Sequence, residues 1–395
     1  MPSLFLTVFV DLVGFGIIVP FLPFFAESLH AAPNEVTLLM TAFSLAQFVA
    51  APLWGRLSDR IGRKPVLAAT LLGLAAAYVW LAFASSLAEL FAARIFAGLM
   101  AGNIAVAQAA AADISTPEQR PKAMGMIGAA FGLGFLVGPA LGGVLAGVKV
   151  GASAIAAPAF AAAALSATAL IMALVLLKES RPEAGAGGHG PGRIQSLRET
   201  FADPGLRIFI VMAFLVPLAF AGVESTLALW TERAFGWNAE ENGYFFSFLG
   251  LIAVLTQGLL VGVLSRRTSE ARMVAAGAAA GVLGLLLVAL APAFWPAVIG
   301  FGLIVFGVSL ATPAIASLIS RVSAESVQGT VMGASHAAQA LARILGPAAA
   351  GTLFVGIGPS GPYLFGAALM AILLLLALGR ARSPAGATGK MGPAR

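Results

Sequence analysis

Five ionisable side chains lie inside long apolar stretches of this sequence, where acid–base or anion-binding chemistry would explain them. They are Asp11, Arg94, Glu224, His336 and Arg343. Burying an ionisable group in hydrocarbon costs at least about 2.5–3.5 kcal/mol on insertion scales, so each one suggests a function. A carboxyl group that alternates between dry and wet surroundings can take up and release a proton. We therefore predict that Glu224 exchanges protons, with Asp11 and His336 as the other candidates.

The arginines leave a second interpretation of the same residues open. Counted at about 1.5 Å of rise per residue, Glu224 and Arg94 lie at similar depths in the membrane. The alternative interpretation is that Glu224 is a permanently ionised partner of an arginine. His336, Gln339 and Arg343 follow at i, i+3 and i+7, on one face of a helix. A lone histidine is as often a packing residue. Arg343 keeps its proton, so it requires an acid or an anionic substrate.

Polar side chains in the same stretches predict a substrate cavity. The cavity candidates are Arg94, Asn103, Gln108, Gln257, Gln339 and Arg343. Gln47 is a further amide of this kind. Such amides equally well bond one membrane helix to the next.

A basic loop, GRLSDRIGRKPVL, occupies positions 55–67 between the second and third apolar stretches. Its glycines, Gly55 and Gly62, permit a tight turn and close helix approach. Asp59 stands among bases that include Arg60 and Arg63, so an ion pair can favour one of two conformations of similar free energy. We predict a conformational latch here. A plain basic anchor at the membrane surface is the alternative.

A stripe of small residues marks the fifth apolar stretch. Gly134, Gly138 and Gly142 recur at four-residue spacing, with Pro139 beside the second of them. Small residues on one helical face let a neighbouring backbone approach closely. Tight packing without any role in transport is the alternative for each glycine.

The composition is that of a membrane protein. Of the 395 residues, 59% are hydrophobic and 10% are charged, and the mean hydropathy is +0.96. A soluble domain carries roughly 25% charged residues. The apolar stretches are long enough to cross a bilayer as helices, which need about 20 residues. The absence of cysteine excludes disulfides, thiolate metal sites and cysteine nucleophiles.

We predict twelve transmembrane helices in two groups of six, an all-α membrane fold. The predicted spans are 4–26, 37–55, 66–84, 88–113, 122–146 and 153–177, then 206–234, 241–264, 272–291, 294–320, 329–355 and 361–380. The predicted domains are a six-helix bundle at 1–177, a cytoplasmic linker at 178–203, a second bundle at 204–380 and a disordered cytoplasmic tail at 381–395. The first span lacks a basic leader and a cleavage site, so we expect it to be a retained helix.

Charge placement predicts the orientation. Nineteen lysines and arginines fall on the side of the predicted termini, here called the inner side, against Lys149 and Arg233 on the outer side. This bias places both termini in the cytoplasm. The net charge of +6 therefore reflects topology, and we expect no nucleic-acid partner.

An internal repeat relates the two halves of the chain. Positions 122–143 align without gaps with 330–351, and at nearly the same offset the GRLS of the basic loop aligns with GVLS at 262–265. Such a repeat predicts two pseudo-symmetric six-helix bundles with a substrate site at their interface. The second copy of the loop has Arg266 and Ser269 in place of Asp59 and Gly62. We therefore expect a strong latch in the first half only.

The motifs resemble those of the major facilitator superfamily. The loop at 55–67 looks like its loop motif, RIFAG at 94–98 resembles its fourth-helix motif, and GLGFLVGPALGG at 132–143 resembles its antiporter motif. With FVDLVGFGIIVPFLP at 9–23 and FGWN at 235–238, the chain is similar end to end to drug/proton antiporters, nearest the tetracycline-efflux branch. The resemblance implies that Asp113 joins the charge network of the latch. It also implies that the helices of Arg94 and Glu224 surround the central cavity.

Three positions depart from the tetracycline/proton antiporters. Ala77 precedes Tyr78 where those proteins typically carry an acid, Ala253 falls where they carry a histidine, and Gly281 falls near a further acid. A tetracycline–metal chelate is therefore a poor expectation for the substrate.

The leading functional hypothesis is export of a small lipophilic or amphipathic compound in exchange for protons, by a monomer in a bacterial inner membrane. Proton-linked transport of a specific metabolite, such as a sugar or an organic anion, is the second. A membrane-embedded enzyme or a passive lipid scramblase is the third. No metal cluster, nucleophile–base pair or phosphate loop is evident in the sequence, so we expect neither an enzyme nor a cofactor.

Overall fold

A computed structural model describes residues 1–116, 119–146, 152–180, 204–290, 293–323 and 328–381, and the regular structure within these ranges is helical. Twelve helices in these ranges are long and apolar enough to cross a membrane. In chain order they are α1 Pro2–Ser28, α2 Pro33–Ile61, α3 Arg63–Phe83, α4 Leu87–Asp113, α5 Arg120–Ala146, α6 Ala152–Leu176, α7 Pro204–Phe235, α8 Ala239–Leu264, α9 Glu270–Leu290, α10 Phe294–Val322, α11 Gln328–Gly356 and α12 Gly361–Ala381. Each coincides with one predicted span, so the prediction of twelve spans is confirmed.

Local sequence signals account for the helix starts on the outer side. Pro33 stands in the first turn of α2, where its missing N–H costs nothing. The Ala32 N–H donates to Glu35 Oε2 at 2.8 Å. At the start of α4, Ser86 Oγ accepts from the Glu89 N–H at 3.3 Å. Both contacts satisfy backbone donors that a helix N-terminus leaves free.

Two of the spans are interrupted, which hydropathy does not predict. In α4 the helices Leu87–Met100 and Asn103–Asp113 are separated by a turn. A Cβ on Gly102 in this turn would lie 2.6 Å from the Trp54 ring, so α4 passes close to α2 there. In α8 a π-helix at Thr256–Leu260 joins two α-helical parts. Single π turns inside α-helices occur frequently at functional sites.

The chain forms two compact units, defined by contacts and described separately below. Unit 1 comprises the described residues of Met1–Gly188, Ser225–Val254 and Ala350–Val355. Within it, α1 packs against α5 and α6, and α3 packs against α6. Unit 2 comprises the described residues of His189–Glu224, Leu255–Ala349 and Gly356–Arg395, and within it α9 packs against α10 and α12. The domain boundaries expected at 177 and 204 stay a prediction. Linker residues 181–203 and tail residues 382–395 lie outside the described residues.

Candidate functional site

Asp11 is held by hydrogen bonds in the interior of unit 1, where it is 8% exposed. Its Oδ2 accepts from Asn103 Nδ2 and its Oδ1 accepts from Ser166 Oγ, both at 3.0 Å. The donors come from α4 and α6 and are uncharged, and none of the ion pairs among the described residues involves Asp11. This carboxyl can therefore gain or lose a proton without breaking an ion pair.

Arg94 is buried in unit 1 with part of its hydrogen-bonding capacity unused. The side chain is 3% exposed and its guanidinium lies 4.4 Å from the centre of the Phe43 ring. Its Nε and Nη1 have no hydrogen-bond partner within the described structure. Buried guanidinium donors without partners are costly, and an anion would satisfy them.

In unit 2, the predicted polar stripe of α11 includes Arg343, which interacts electrostatically with Glu224, the second intramembrane acid. Glu224 on α7 is half-buried, whereas His336 and Arg343 are exposed. Glu224 and Arg343 interact electrostatically but do not form one of the close ion pairs found among the described residues. Gln339 Nε2 donates to Ser335 Oγ at 3.3 Å on the same helix. Both interpretations of Glu224, proton carrier and arginine partner, remain compatible with this arrangement.

The amide candidates divide into helix-packing and exposed groups. Gln47 Nε2 donates to the Ala101 carbonyl at 3.0 Å, so it bonds α2 to the turn in α4. Gln108 is exposed on α4. Gln257 lies in the π-helix of α8 and is exposed, with a long contact of 3.5 Å from its Nε2 to Ser309 Oγ. Gln257 therefore keeps hydrogen-bonding capacity that a ligand in unit 2 can use.

The predicted latch is a charge cluster centred on Arg63. Arg63 Nη1 lies 2.6 Å from Asp59 Oδ1, and Arg63 Nε lies 2.8 Å from Asp113 Oδ2. The Arg63 backbone N–H donates to Glu179 Oε1 at 2.7 Å, so the first residues after α6 cap the start of α3. Ser58 Oγ accepts a further bond from Nη1 at 2.6 Å. Ser58 and Glu179 were not predicted as members.

The two glycines of the loop differ in what they do. Gly62 has a φ of +107°, and a Cβ there would lie 2.5 Å from Glu179, so the turn requires glycine. At Gly55 an added Cβ would meet no atom within 4 Å, so the close approach expected there is absent from the described structure. Gly55 lies inside α2, before the turn. Arg60 is exposed and takes part in none of the ion pairs among the described residues.

The expectation of a strong latch in the first half only stays a prediction, but unit 2 also contains an ion pair between two helix ends. Arg321 Nη2 lies 2.6 Å from Glu270 Oε1 in unit 2, and Ser317 Oγ donates to the same carboxylate oxygen at 3.3 Å. The position equivalent to Asp59 is occupied by Arg266. The acid instead stands one turn later, at the position equivalent to Arg63.

The profile of the Major Facilitator Superfamily matches residues 4–347 of this chain. The chain belongs to the major facilitator superfamily. The class C tetracycline resistance protein of Escherichia coli is 32% identical over 350 residues, which cover 86% of each chain. Multidrug resistance protein 2 of Bacillus subtilis is 28% identical over 377 residues, covering 94% of this chain and 92% of that protein. The crystal structure of the human organic anion transporter MFSD10 (TETRAN) matches with a TM-score of 0.71 and 26% identity, covering 95% of this chain and 98% of that one.

This membership makes the chain a multi-pass membrane transporter of small molecules with the twelve-helix major facilitator fold, and not an enzyme. The sequence resemblance to the superfamily and to its tetracycline-efflux branch is confirmed. Two of the positions that depart from that branch are packed against other side chains in the structure. Ala77 and Tyr78 are buried, and a Cβ added to Gly281 would lie 3.3 Å from the Met370 side chain.

The glycine stripe of this major facilitator protein packs α5 against α1. A Cβ on Gly138 would lie 2.6 Å from the Val13 carbonyl oxygen and 2.7 Å from Gly16 Cα. A Cβ added to Gly134 would likewise contact Leu12 of α1, and one added to Gly142 would contact Ile17 of α1. A Cβ added to Gly16 of α1 would contact Pro139 of α5. The predicted close approach is therefore present, and its partner is the segment that directly follows Asp11. In unit 2, Gly346 of α11 likewise packs against Leu218 and Ala221 of α7.

Proposed function

We propose that this chain is a proton-coupled efflux antiporter of small lipophilic or amphipathic compounds that works by alternating access. The observation that carries the proposal is the Asp11 site, in which a buried carboxyl has uncharged donors on both oxygens. The α5 glycine stripe packs against the next turn of the same helix. A change of protonation at Asp11 thus occurs next to the close contact between α1 and the antiporter motif of α5. The named relatives in tetracycline and multidrug resistance support export as the direction.

The surroundings favour Asp11 over Glu224, the first candidate from the sequence, as the proton carrier. Neutralising Glu224 would remove the carboxylate that interacts electrostatically with Arg343. Neutralising Asp11 breaks no ion pair, because none of the ion pairs among the described residues involves Asp11. Glu224 is then the charge partner of Arg343, with His336 on the same exposed stripe.

Alternating access is supported by the outer contacts within unit 1. Thr37 of α2 is fully buried and lies against Gly351 of α11. Gly143 of α5 lies against Gly243 of α8, with a Cβ on Gly243 only 2.6 Å from Gly143 Cα. These pairs join helices from the two halves of the sequence. They are proposed to separate when the transporter opens outward.

A second candidate function is proton-linked transport of an organic anion. It is favoured by the unused Nε and Nη1 of buried Arg94 and by the similarity to a human organic anion transporter. An anionic group of the substrate would satisfy Arg94 or replace Glu224 as the partner of Arg343. A tetracycline–metal chelate is not the proposed substrate, since Ala77, Ala253 and Gly281 depart from the tetracycline branch.

The proposed setting is a bacterial inner membrane, with both termini cytoplasmic and the chain acting as a monomer. The excess of basic residues at the inner side supports this orientation. A reporter that fluoresces only in the cytoplasm, fused after Arg395, should be bright. A dark fusion at normal protein levels would reverse the proposed orientation.

Transport and coupling are tested together in lipid vesicles with an acidic lumen that contain the purified protein. Ethidium, tetracycline and a fluorescein-type organic anion serve as probes. Antiport predicts that ethidium accumulates inside while the lumen becomes less acidic, and that an ionophore that collapses the pH gradient stops accumulation. Accumulation that persists without the gradient would exclude proton coupling. Uptake of the organic anion alone would replace the leading function with the second.

The carrier is identified with Asp11→Asn and Glu224→Gln in the same vesicles. We expect Asp11→Asn to abolish substrate-dependent proton movement while preserving downhill exchange. Loss of that movement in Glu224→Gln alone would transfer the role to Glu224. Its survival in both variants would exclude both carboxyls and leave His336 to be tested.

A further inference from the structure

A cavity of about 270 Å³ lies at the inner ends of α1, α3, α4 and α6, within unit 1. It shares the wall residues Leu4 and Leu67 with the small cavity beside Asp11, which lies deeper in the same unit. Ligand pockets commonly start at about 300 Å³, so the cavity has the size of a small headgroup or anion. Arg63 is the one residue of the latch cluster that lines it.

The polar side chains that line this cavity are basic or hydroxylic. Lys64 of α3 and Lys178 after α6 line it together with Arg63, Ser3 and Ser180. Neither lysine takes part in the ion pairs found among the described residues, whereas Arg63 is already bound by two carboxylates. No acidic side chain of the described residues lines the cavity. Two ammonium groups are therefore available to an anion.

The remaining walls are apolar and extend to the surface. Leu4 and Leu67 are buried in the cavity wall. Leu176 and Ile114 also line it and are 47% and 46% exposed. A free phosphate ion would use the lysines but gain nothing from these leucine and isoleucine side chains. A ligand with an anionic head and a hydrocarbon part matches both kinds of surface.

We propose that this cavity binds the phosphate headgroup of an anionic phospholipid from the inner leaflet. Lys64 and Lys178 would bind the phosphate, and Leu176 and Ile114 would contact the glycerol and first acyl carbons. Basic pockets between membrane helices on the cytoplasmic side recognise such headgroups. The proposal rests on the orientation proposed above but not on the identity of the substrate.

The test is lipid-dependent stability of the purified full-length protein in detergent. Phosphatidylglycerol, phosphatidylcholine and inorganic phosphate are added separately at equal phosphate concentration, and the thermal unfolding midpoint is measured. A ligand that binds only the folded state raises this midpoint. We expect stabilisation by phosphatidylglycerol only. Equal stabilisation by inorganic phosphate would make a soluble phosphate the ligand, and equal stabilisation by phosphatidylcholine would overturn the proposal.

The variant Lys64→Gln with Lys178→Gln tests the residues. At about 1 kcal/mol per basic residue, its apparent affinity for phosphatidylglycerol should fall roughly thirtyfold. The matched control is Arg266→Gln with Arg267→Gln, which removes the same charge from exposed positions on the inner side of unit 2. Equal losses in both variants, or none in either, would contradict a specific site. If the double variant does not fold, exposed Lys178→Gln alone should still weaken binding about fivefold. Because binding is measured without transport, its result is independent of the proposed antiport.

Discussion

Glu270 and Arg321 form an ion pair of 2.6 Å whose charges are exchanged relative to the pair that Arg63 and Asp113 form at 2.8 Å. In the alignment of the internal repeat, Glu270 is equivalent to Arg63 and Arg321 is equivalent to Asp113. Both pairs join the start of one helix to the inner end of another. The repeat therefore keeps the position of an ion pair in both halves, while the polarity of the pair is reversed between them.

Exchanging the charges of the second pair should preserve its function. We predict that Glu270→Arg alone slows transport strongly, because it places two arginines together. Adding Arg321→Glu should restore most of the rate, since the pair is re-formed with opposite polarity. The measurement is the initial rate of ethidium uptake into vesicles. Arg272→Glu, an exposed site on the same helix, is the control. Failure of the double variant to recover would show that polarity matters in unit 2.

The two acids of the Arg63 cluster should differ when neutralised. The Asp59 side chain is 51% exposed, so Asp59→Asn should cost at most about 1 kcal/mol of stability while slowing transport. The Asp113 side chain is 24% exposed, so Asp113→Asn leaves the buried Arg63 poorly compensated and should cost more. Protein level and thermal midpoint are measured beside transport. Full transport by Asp59→Asn would remove Asp59 from the mechanism.

Ser166 should matter for transport although nothing in the sequence indicated it. Ser166→Ala removes the donor to Asp11 Oδ1, and a hydrogen bond to a charged group contributes about 1.5–3 kcal/mol. We expect roughly a tenfold or greater fall in coupled uptake at normal protein levels. Thr168→Ala on the same helix is the control, because its exposed hydroxyl bonds only to the Ala164 carbonyl. Equal rates in both variants would separate Ser166 from the mechanism.

Hydropathy predicted the twelve spans because a bilayer requires each crossing helix to be long and apolar. It could not predict the turn at Gly102 or the π-helix in α8, which change hydrogen bonding but not hydropathy. The spacing of Gly134, Gly138 and Gly142 predicted a close helix contact. It left open that α1 is the partner, because that depends on tertiary packing.

The candidate site was predicted where a residue is unusual for a membrane, as with Asp11 and Arg94. Ser166 and Glu179 were missed because a serine in an apolar helix and an acid in a polar linker are both ordinary. Their roles arise from contacts with Asp11 and Arg63 that are distant in sequence. Glu270 was missed since its equivalent in the first half carries the opposite charge.

The α5 glycine stripe should be sensitive to a single methyl group. A Cβ on Gly138 would lie 2.6 Å from a backbone oxygen of α1, so Gly138→Ala must separate the helices at a cost of about 1–3 kcal/mol. Transport should fall together with the thermal midpoint. Gly128→Ala on the same helix meets no atom within 4 Å and should be neutral or slightly stabilising. Equal behaviour of the two variants would mean that α1 and α5 are not closely packed in the membrane.

The π-helix of α8 should be required for transport through the position of Gln257. A π-helix has more residues per turn than an α-helix. This segment therefore rotates the side chains of the preceding part of α8 relative to those of Val261–Leu264. Deleting Gly258 allows a continuous α-helix and rotates Gln257 away from Ser309, to which it lies within 3.5 Å.

We expect the Gly258 deletion to insert in the membrane but to lose ethidium uptake. Gly258→Ala keeps the residue count and adds a methyl group into open space, so it should transport normally. Gln257→Leu should reduce uptake without affecting the thermal midpoint, because Gln257 is exposed and makes only one long hydrogen bond. Normal uptake by the deletion variant would show that the π-helix is a packing irregularity. If Gln257→Leu transports normally but the deletion variant does not, then transport requires the geometry of α8 itself and not the Gln257 side chain.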